Sequence, residues 1–397
     1  MLLQYSGFLV LTMLRAEAQT NHSLNTRRFG YIVHYPSYRD FIRRGVGRIP
    51  FIRNIINKLE PALLKRAILM TGPEEWFRIA RIKSYDGSLA EGIIVMCPFI
   101  PEQIATEGDE RILGKLEEAA SIAIREGAQI IGLAGFASIV GDEGQKLADR
   151  LQIPITSGNT YTAALVMDGV RQAADNRGVD LTDCKMAIVG AAGDIGSVCA
   201  RVFSKEVREL DLVVRRDTGA EEFVRSFQGS RAEVRVSRSI KQAIGDADVI
   251  IAATSSITTL IEADDVMSGC IICDVAIPHN VAFDLLDKRG DIFAFEGGLA
   301  RIPGFAEVDK PHWWRELSPD GRTVFGCLAE VMLLTLEGRL ESFSLGRGRI
   351  TEEAVRDIGH LAEKHGFELA GFRYRGKELL GIPMNGARNG KRSRGCI

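Results

Sequence analysis

The chain has 397 residues, 46% of them hydrophobic and 26% charged, with 50 basic residues against 52 acidic for a formal charge of −2. At roughly 150 residues per domain, that length allows two or three domains and a core that needs no disulfide staples. The composition excludes a disordered, collagen-like or disulfide-scaffold protein, and the balanced charge gives no global case for nucleic-acid binding. The 41 glycines exceed the usual share of ~7% and suit an α/β enzyme with tight strand-to-helix turns. The seven cysteines are odd in number and irregular in spacing, so a reducing compartment, the cytoplasm, is expected rather than a disulfide framework.

Taken in chain order, residues 8–14 form a short apolar run followed by Arg15-Ala-Glu-Ala18. It lacks the basic start of a signal peptide, so an extension is expected. Residues 27–66 are locally basic, and Ile52, Ile55, Ile56, Leu59 and Leu63 recur at helical spacing. This predicts an amphipathic helix with a basic flank, either packed on the core or presented to an acidic protein or an anionic membrane surface. Residues 91–101 read as a buried strand and 110–126 as a helix with Ile112, Leu116, Ala119, Ala120 and Ala123 on one face. Strands are expected at 129–134 and 153–157, with a helix near 143–150 between them. Strand alternating with helix predicts a parallel α/β unit, whose ligands sit beyond the carboxyl ends of the strands. Ser138 and Asn159 lie at such ends, although each is also an ordinary turn or cap residue.

A helix to Arg177, stopped by Gly178, leads into the strongest local motif. Lys185–Val189 is a strand, Gly190-Ala-Ala-Gly193-Asp194-Ile195-Gly196 a glycine turn, 197–205 a helix and 210–214 a second strand. That context is what a dinucleotide fingerprint requires, with the pyrophosphate on the helix N-terminus. The second strand ends in Arg215-Arg216, which suits a 2′-phosphate and favours NADPH. Asp217 keeps NAD as the alternative. The strand 247–253 ends at Thr254 and Ser255, expected at the nicotinamide or ribose edge, and strands at 271–275 and 292–295 complete a parallel sheet. Cys270 and Cys273 form a CxxC inside an apolar strand, where they face opposite sides and suit neither a redox nor a metal site. No metal is expected.

Residues 323–338 predict a buried helix beginning near Cys327, with Leu328, Val331, Met332, Leu334 and Thr335 inside. A cysteine at a helix N-terminus feels the positive end of the dipole, which favours thiolate; from position alone the commoner reading is a small buried core residue. Beside a nicotinamide domain, an activated cysteine makes thioester exchange followed by hydride transfer a natural reaction. His34 is a candidate acid–base group, and Ser138 and Asn159 are candidate oxyanion donors.

Phe29-Gly-Tyr-Ile-Val-His34, Gly135–Ile139, the Thr156–Thr160 stretch TSGNT, Gly190–Gly196, Phe325-Gly-Cys-Leu-Ala-Glu-Val-Met-Leu-Leu334 and the blocks at 347–351 and 365–367 together resemble the long-chain acyl-[acyl-carrier-protein] reductases of cyanobacteria and their bacterial relatives. The resemblance runs from about residue 29 to residue 372. It implies a Rossmann-type NADPH-binding domain, Cys327 as the acyl-accepting cysteine, and reduction of an acyl-carrier-protein or CoA thioester to a fatty aldehyde. It also makes 1–28 an extension. The expected organisation is an N-terminal α/β substrate domain at 29–165, a Rossmann domain at 166–300, a C-terminal cysteine-and-helix region at 301–375 and a basic tail at 376–397. The basic segment is the expected docking surface for an acidic acyl carrier protein, and Arg43, Arg44 and Arg48 stand in it. An aldehyde-consuming partner enzyme and a peripheral membrane contact complete the partner classes, with no nucleic acid. The alternative function is a NAD(P)-dependent dehydrogenase of a small substrate without covalent catalysis.

Overall fold

The computed structural model describes residues 26–44, 60–215, 223 and 225–379. A first six-stranded sheet contains β1 (Arg27–His34), β2 (Glu74–Lys83), β3 (Leu89–Cys97), β4 (Ile130–Leu133) and β5 (Ile155–Thr156). Its order is Glu307–Val308, β2, β3, β1, β4, β5. β1 runs parallel to both β3 and β4. Both of its faces are covered, so Phe29 to Val33 form one buried run without polar alternation. The alternating side chains divide between two layers. Ile32 joins the apolar cluster of α1 (Asp109–Arg125), and Phe29, Tyr31 and Val33 join the cluster on the other face. Missing side chains let the helices approach. A Cβ on Gly30 would lie 2.6 Å from Ala123 of α1, and one on Gly132 would lie 2.9 Å from Val331 across the opposite face.

α2 (Asn159–Arg177) leaves the first sheet after β5 and leads to the second. The second sheet has six parallel strands: β6 (Lys185–Val189), β7 (Glu209–Val213), β8 (Glu233–Ser237), β9 (Val249–Ala252), β10 (Ile271–Asp274) and β11 (Phe293–Glu296). Their order is β11, β10, β9, β6, β7, β8. The chain reverses its direction of travel between β6 and β9, the switch point at which α/β sheets bind ligands. α3 (Asp194–Phe203) follows β6. Residues 301–375 return to the first sheet: Glu307–Val308 pairs with β2, and α4 (Gly326–Glu337) lies on β1, β3 and β4. α5 (Glu352–His365) packs on α2 and α4.

The expected α/β class is present, as are the parallel dinucleotide sheet and the buried faces of α1 and α4. Several strands were not expected, β2 and β8 among them. β2 runs antiparallel to β3, and register shifts at Glu75/Phe77 and Ile79/Ile82 break its alternation. β8 is a half-exposed edge strand with little apolar content. Of the expected basic helix, Ile52, Ile55, Ile56 and Leu59 lie outside the described residues. Leu63 belongs to the short helix Pro61–Met70 and is 57% exposed, so it does not join a buried face. Cys270 and Cys273 are both buried, in different apolar clusters. No helix among the described residues is long and apolar enough to cross a membrane.

Phe29 is fully buried at the centre of the first sheet, its ring filling the space a Gly92 side chain would need. Phe29→Ala is expected to cost about 3–5 kcal/mol of stability, read as a lower urea midpoint; an unchanged midpoint would contradict this account of the core.

Candidate active site

Cys327 sits in the first turn of α4, with its neighbour Gly326 bonded to the dinucleotide sheet. The Gly326 N–H donates to the Gly298 carbonyl at 2.8 Å, two residues beyond the end of β11. Glycine is required at two of the surrounding positions. A Cβ on Gly158, which has φ +78°, would overlap the Cys327 Cα, and one on Gly326 would meet Thr162. The sulfur is half-buried and lies 3.0 Å from the Tyr31 hydroxyl of β1. The backbone amides of Gly135 and Leu328 also favour its ionised form.

Burial pushes the Cys327 thiol above its ordinary value, while the hydrogen bonds from Tyr31, Gly135 and Leu328 pull the other way without overcoming it. This corrects the expectation that the helix N-terminus makes the resting cysteine a thiolate. The dipole acts, but desolvation of the charged form is larger. Tyr31 is held protonated well above the usual phenol range, chiefly by burial, so it is available as a donor.

The other expected residues build the walls. His34 lies at the end of β1, with its Nε2 accepting the Phe136 N–H at 3.1 Å and its Nδ1 facing the Tyr35 carbonyl at 3.0 Å. Burial lowers its pKa to about 4. The ring is therefore neutral, carries its proton on Nδ1 and has both nitrogens engaged. It fixes the Gly135–Ile139 turn, whose Gly135 N–H faces the sulfur, rather than standing as a free acid or base. Ser138 donates to the Gly135 carbonyl at 2.7 Å and braces the same turn. Asn159 donates to the Asp194 carboxylate at 3.2 Å, which links the turn behind Cys327 to the start of α3.

Sequence reasoning missed four groups. Tyr31 is one. Glu330, fully buried three residues beyond Cys327, accepts from the Tyr161 N–H at 2.7 Å, from the Ser344 hydroxyl at 2.7 Å and from the Thr156 hydroxyl. Glu143 is buried beside Asp194. Burial and the Asp194 charge push it up to about 7, against the pull of Arg347. At the carboxyl ends of β10 and β11, His279 lies 3.3 Å from both Asp274 and Glu296. Burial opposes its charge, but the two carboxylates outweigh this and raise it to about 9. The FGCLAE and DVAIPHN stretches carried no periodic signal for these contacts, and those of Tyr31 with Cys327 and of Glu330 with Tyr161 join residues far apart in the chain.

The dinucleotide loop has the shape a pyrophosphate needs. Gly190, with φ +89°, has no room for a side chain against the Ala253 carbonyl, and Gly196 has none against the Gly190 carbonyl. Gly193 caps α3 without a side-chain hydrogen bond, which leaves the first-turn amides facing outward for an anion. Ile195 is half-buried against the core. The Asp194 carboxylate accepts from the Gly348 N–H at 2.5 Å as well as from Asn159, so its side chain serves the protein junction. Thr254 donates to Asn280 at 2.6 Å and Ser255 is exposed beyond β9. Arg215 is exposed past β7; Arg216 lies outside the described residues. Among the described residues no group of three or more His, Cys, Asp or Glu side chains could hold a metal ion.

The expected docking arginines are less free than their sequence suggests. Arg43 and Arg44 both reach Glu316, and Arg44 also lies over the Trp76 ring. Arg48 lies outside the described residues.

Comparison with known proteins agrees with this scaffold. The shikimate/quinate 5-dehydrogenase family model matches residues 172–293, the segment from the end of α2 to β11, so the chain carries a Rossmann domain of the NAD(P)-binding type. The chain is similar to the long-chain acyl-[acyl-carrier-protein] reductase of Synechococcus elongatus, at 29% identity over 72% of this chain and 85% of that protein. It is similar to the aminotransferase PigE of a Serratia strain, at 27% identity over 86% of this chain, but spans only 39% of that relative's length. A glutamyl-tRNA reductase of Caldivirga maquilingensis is 31% identical over 45% of this chain and 42% of its own.

Alkylation of the Cys327 peptide by iodoacetamide is expected to be still climbing above pH 9.0, the ordinary thiol value, because the thiol is raised. A plateau reached by pH 8 would contradict this. Tyr31→Phe removes a donor to the ionised sulfur and should slow alkylation at fixed pH on the order of 10-fold.

Proposed function

We propose that the chain reduces an acyl thioester to an aldehyde with NADPH, through an acyl group carried on Cys327, the substrate being a long-chain acyl-carrier-protein or CoA thioester. The observation that carries this is the seating of Cys327: a partly buried cysteine whose sulfur lies 3.0 Å from the Tyr31 hydroxyl, on a helix whose first residue is bonded to Gly298, just past the end of β11. The similarity to the Synechococcus reductase supports the substrate class.

In the acyl-transfer step the Cys327 sulfur forms a bond to the thioester carbonyl carbon, the carrier's C–S bond breaks, and the thiol proton ends on the departing carrier thiolate. Exchange of one thioester for another needs no net proton. That suits a site in which the resting cysteine is a thiol and His34 is neutral and fully engaged. The Tyr31 O–H and the Gly135 N–H, which face the sulfur, are within reach of a carbonyl oxygen on it and stabilise the oxyanion of each tetrahedral stage. NADPH, when bound, supplies the hydride that reduces the acyl carbon. Gly190, Gly193 and Gly196 would receive its pyrophosphate and Arg215 its 2′-phosphate. Collapse of the tetrahedral adduct breaks the C–S bond, releases the aldehyde and returns Cys327, which takes up one proton.

Cys327→Ala is expected to lower aldehyde formation by about 1000-fold or more in an assay that follows NADPH oxidation and aldehyde together; a variant as fast as the wild type would sink the covalent scheme. Arg215→Glu is expected to raise KM for NADPH by about 10-fold or more while sparing NADH. Equal effects on both cofactors would remove Arg215 from the 2′-phosphate site.

A further inference from the structure

Resting on Cys327 as the acyl acceptor, we propose that Glu330 is its positioning residue: the buried carboxylate ties α4 to the turn at 156–161 and thereby holds the sulfur against Tyr31 and Gly135.

Glu330 is the one charged side chain among the buried residues of an otherwise apolar stretch of α4, which continues with Val331, Met332, Leu333 and Leu334. A carboxylate is costly to bury unless its oxygens are satisfied. Here no cation pairs with it among the described residues. Its partners are donors from one short segment and from Ser344: the Tyr161 N–H at 2.7 Å, the Ser344 hydroxyl at 2.7 Å and the Thr156 hydroxyl, whose oxygen in turn accepts the Gly158 N–H at 3.3 Å. The Tyr161 N–H is one of the first-turn amides of α2, and Gly158 supplies no side-chain cap, so a side chain from α4 does the capping across the interface.

The geometry returns to the sulfur. Residues three apart on a helix share a face, about 4.5 Å apart along the axis. The segment that Glu330 grips contains Gly158, whose Cα is packed directly on the Cys327 Cα. One carboxylate thus grips the turn at the Thr156 hydroxyl and the Tyr161 amide, while the Cys327 backbone is packed on Gly158, which lies between them. The titratable groups that face the sulfur are Tyr31 from β1 and Glu330 from α4. Burial raises the Glu330 carboxyl above its ordinary value against the pull of its hydrogen-bond donors, and in its charged form it opposes ionisation of Cys327.

The test uses the full chain with Glu330→Ala and Glu330→Gln. Gln keeps an acceptor for the Tyr161 amide and an NH₂ for the hydroxyl oxygens, and removes the charge. Three quantities are read: transfer of the acyl group from hexadecanoyl-CoA to Cys327 by intact mass, iodoacetamide alkylation of Cys327 against pH, and thermal unfolding. Glu330→Ala is expected to slow acyl transfer about 100-fold while alkylation at high pH changes by less than about threefold, because acyl transfer needs aligned donors and alkylation needs only the sulfur. Glu330→Gln is expected to recover acyl transfer to within about 10-fold of wild type and to move the alkylation profile to lower pH. A folded Glu330→Ala variant that takes the acyl group as fast as wild type overturns the proposal. If that variant does not fold, a folded Glu330→Gln variant whose acyl transfer falls about 100-fold or more below wild type overturns it instead, because Gln keeps the acceptor that holds the turn. A wild-type chain that takes no acyl group overturns the acceptor role of Cys327, and the alkylation profile of Glu330→Gln then decides separately whether the carboxylate governs the sulfur.

Discussion

The close approach of Gly158 to Cys327 is the constraint on which the rest of the site depends. With no side chain at Gly158, the turn after β5 rests on the first turn of α4, and everything attached to either element is then located. On one side α4 covers β1 and brings the sulfur to Tyr31. On the other, Gly326 is bonded to Gly298 just past β11. A single helix N-terminus therefore joins a sheet that presents hydrogen-bond donors to a sheet built to receive a dinucleotide.

Burial sets the chemistry as well as the geometry. The dipole of α4 and three donors favour the thiolate, yet desolvation is the larger effect and keeps the resting sulfur protonated. A protonated cysteine is compatible with thioester exchange because the proton can follow the leaving thiolate. It also protects the residue from oxidation and from adventitious electrophiles, since the thiolate is the reactive form. The same burial keeps Tyr31 a hydrogen donor and His34 a neutral acceptor. Cys327, Tyr31 and His34 thus each hold one protonation state across the neutral range.

Much of the scaffold was legible in the sequence, for reasons that differ by element. Gly190, Gly193 and Gly196 are dictated by local backbone crowding, so their spacing announces the loop without any knowledge of the rest of the fold. The face of α1 and the buried side of α4 follow from periodicity. β2 escaped because its register shifts interrupt the alternation that identifies a strand. The site was legible only where function sits on a local signal. Cys327 is marked by its place at a helix start. The Tyr31–Cys327 contact spans 296 residues of sequence and the Glu330–Tyr161 contact 169, and nothing local foretells either. His34 was a candidate acid–base group set against the commoner structural histidine, and only the structure shows the two backbone partners that occupy its nitrogens. Cys327 was expected as thiolate because a helix N-terminus is visible in sequence and the depth of burial is not.

The most direct test of the account is a two-stage mass measurement on the wild-type chain. The protein is incubated with hexadecanoyl-CoA in the absence of nucleotide, its intact mass and the site of any adduct are determined, and NADPH is then added. The account predicts one hexadecanoyl group on Cys327 that disappears on addition of NADPH as hexadecanal forms. A chain that yields hexadecanal from the thioester and NADPH while never carrying the acyl group on Cys327 would contradict it.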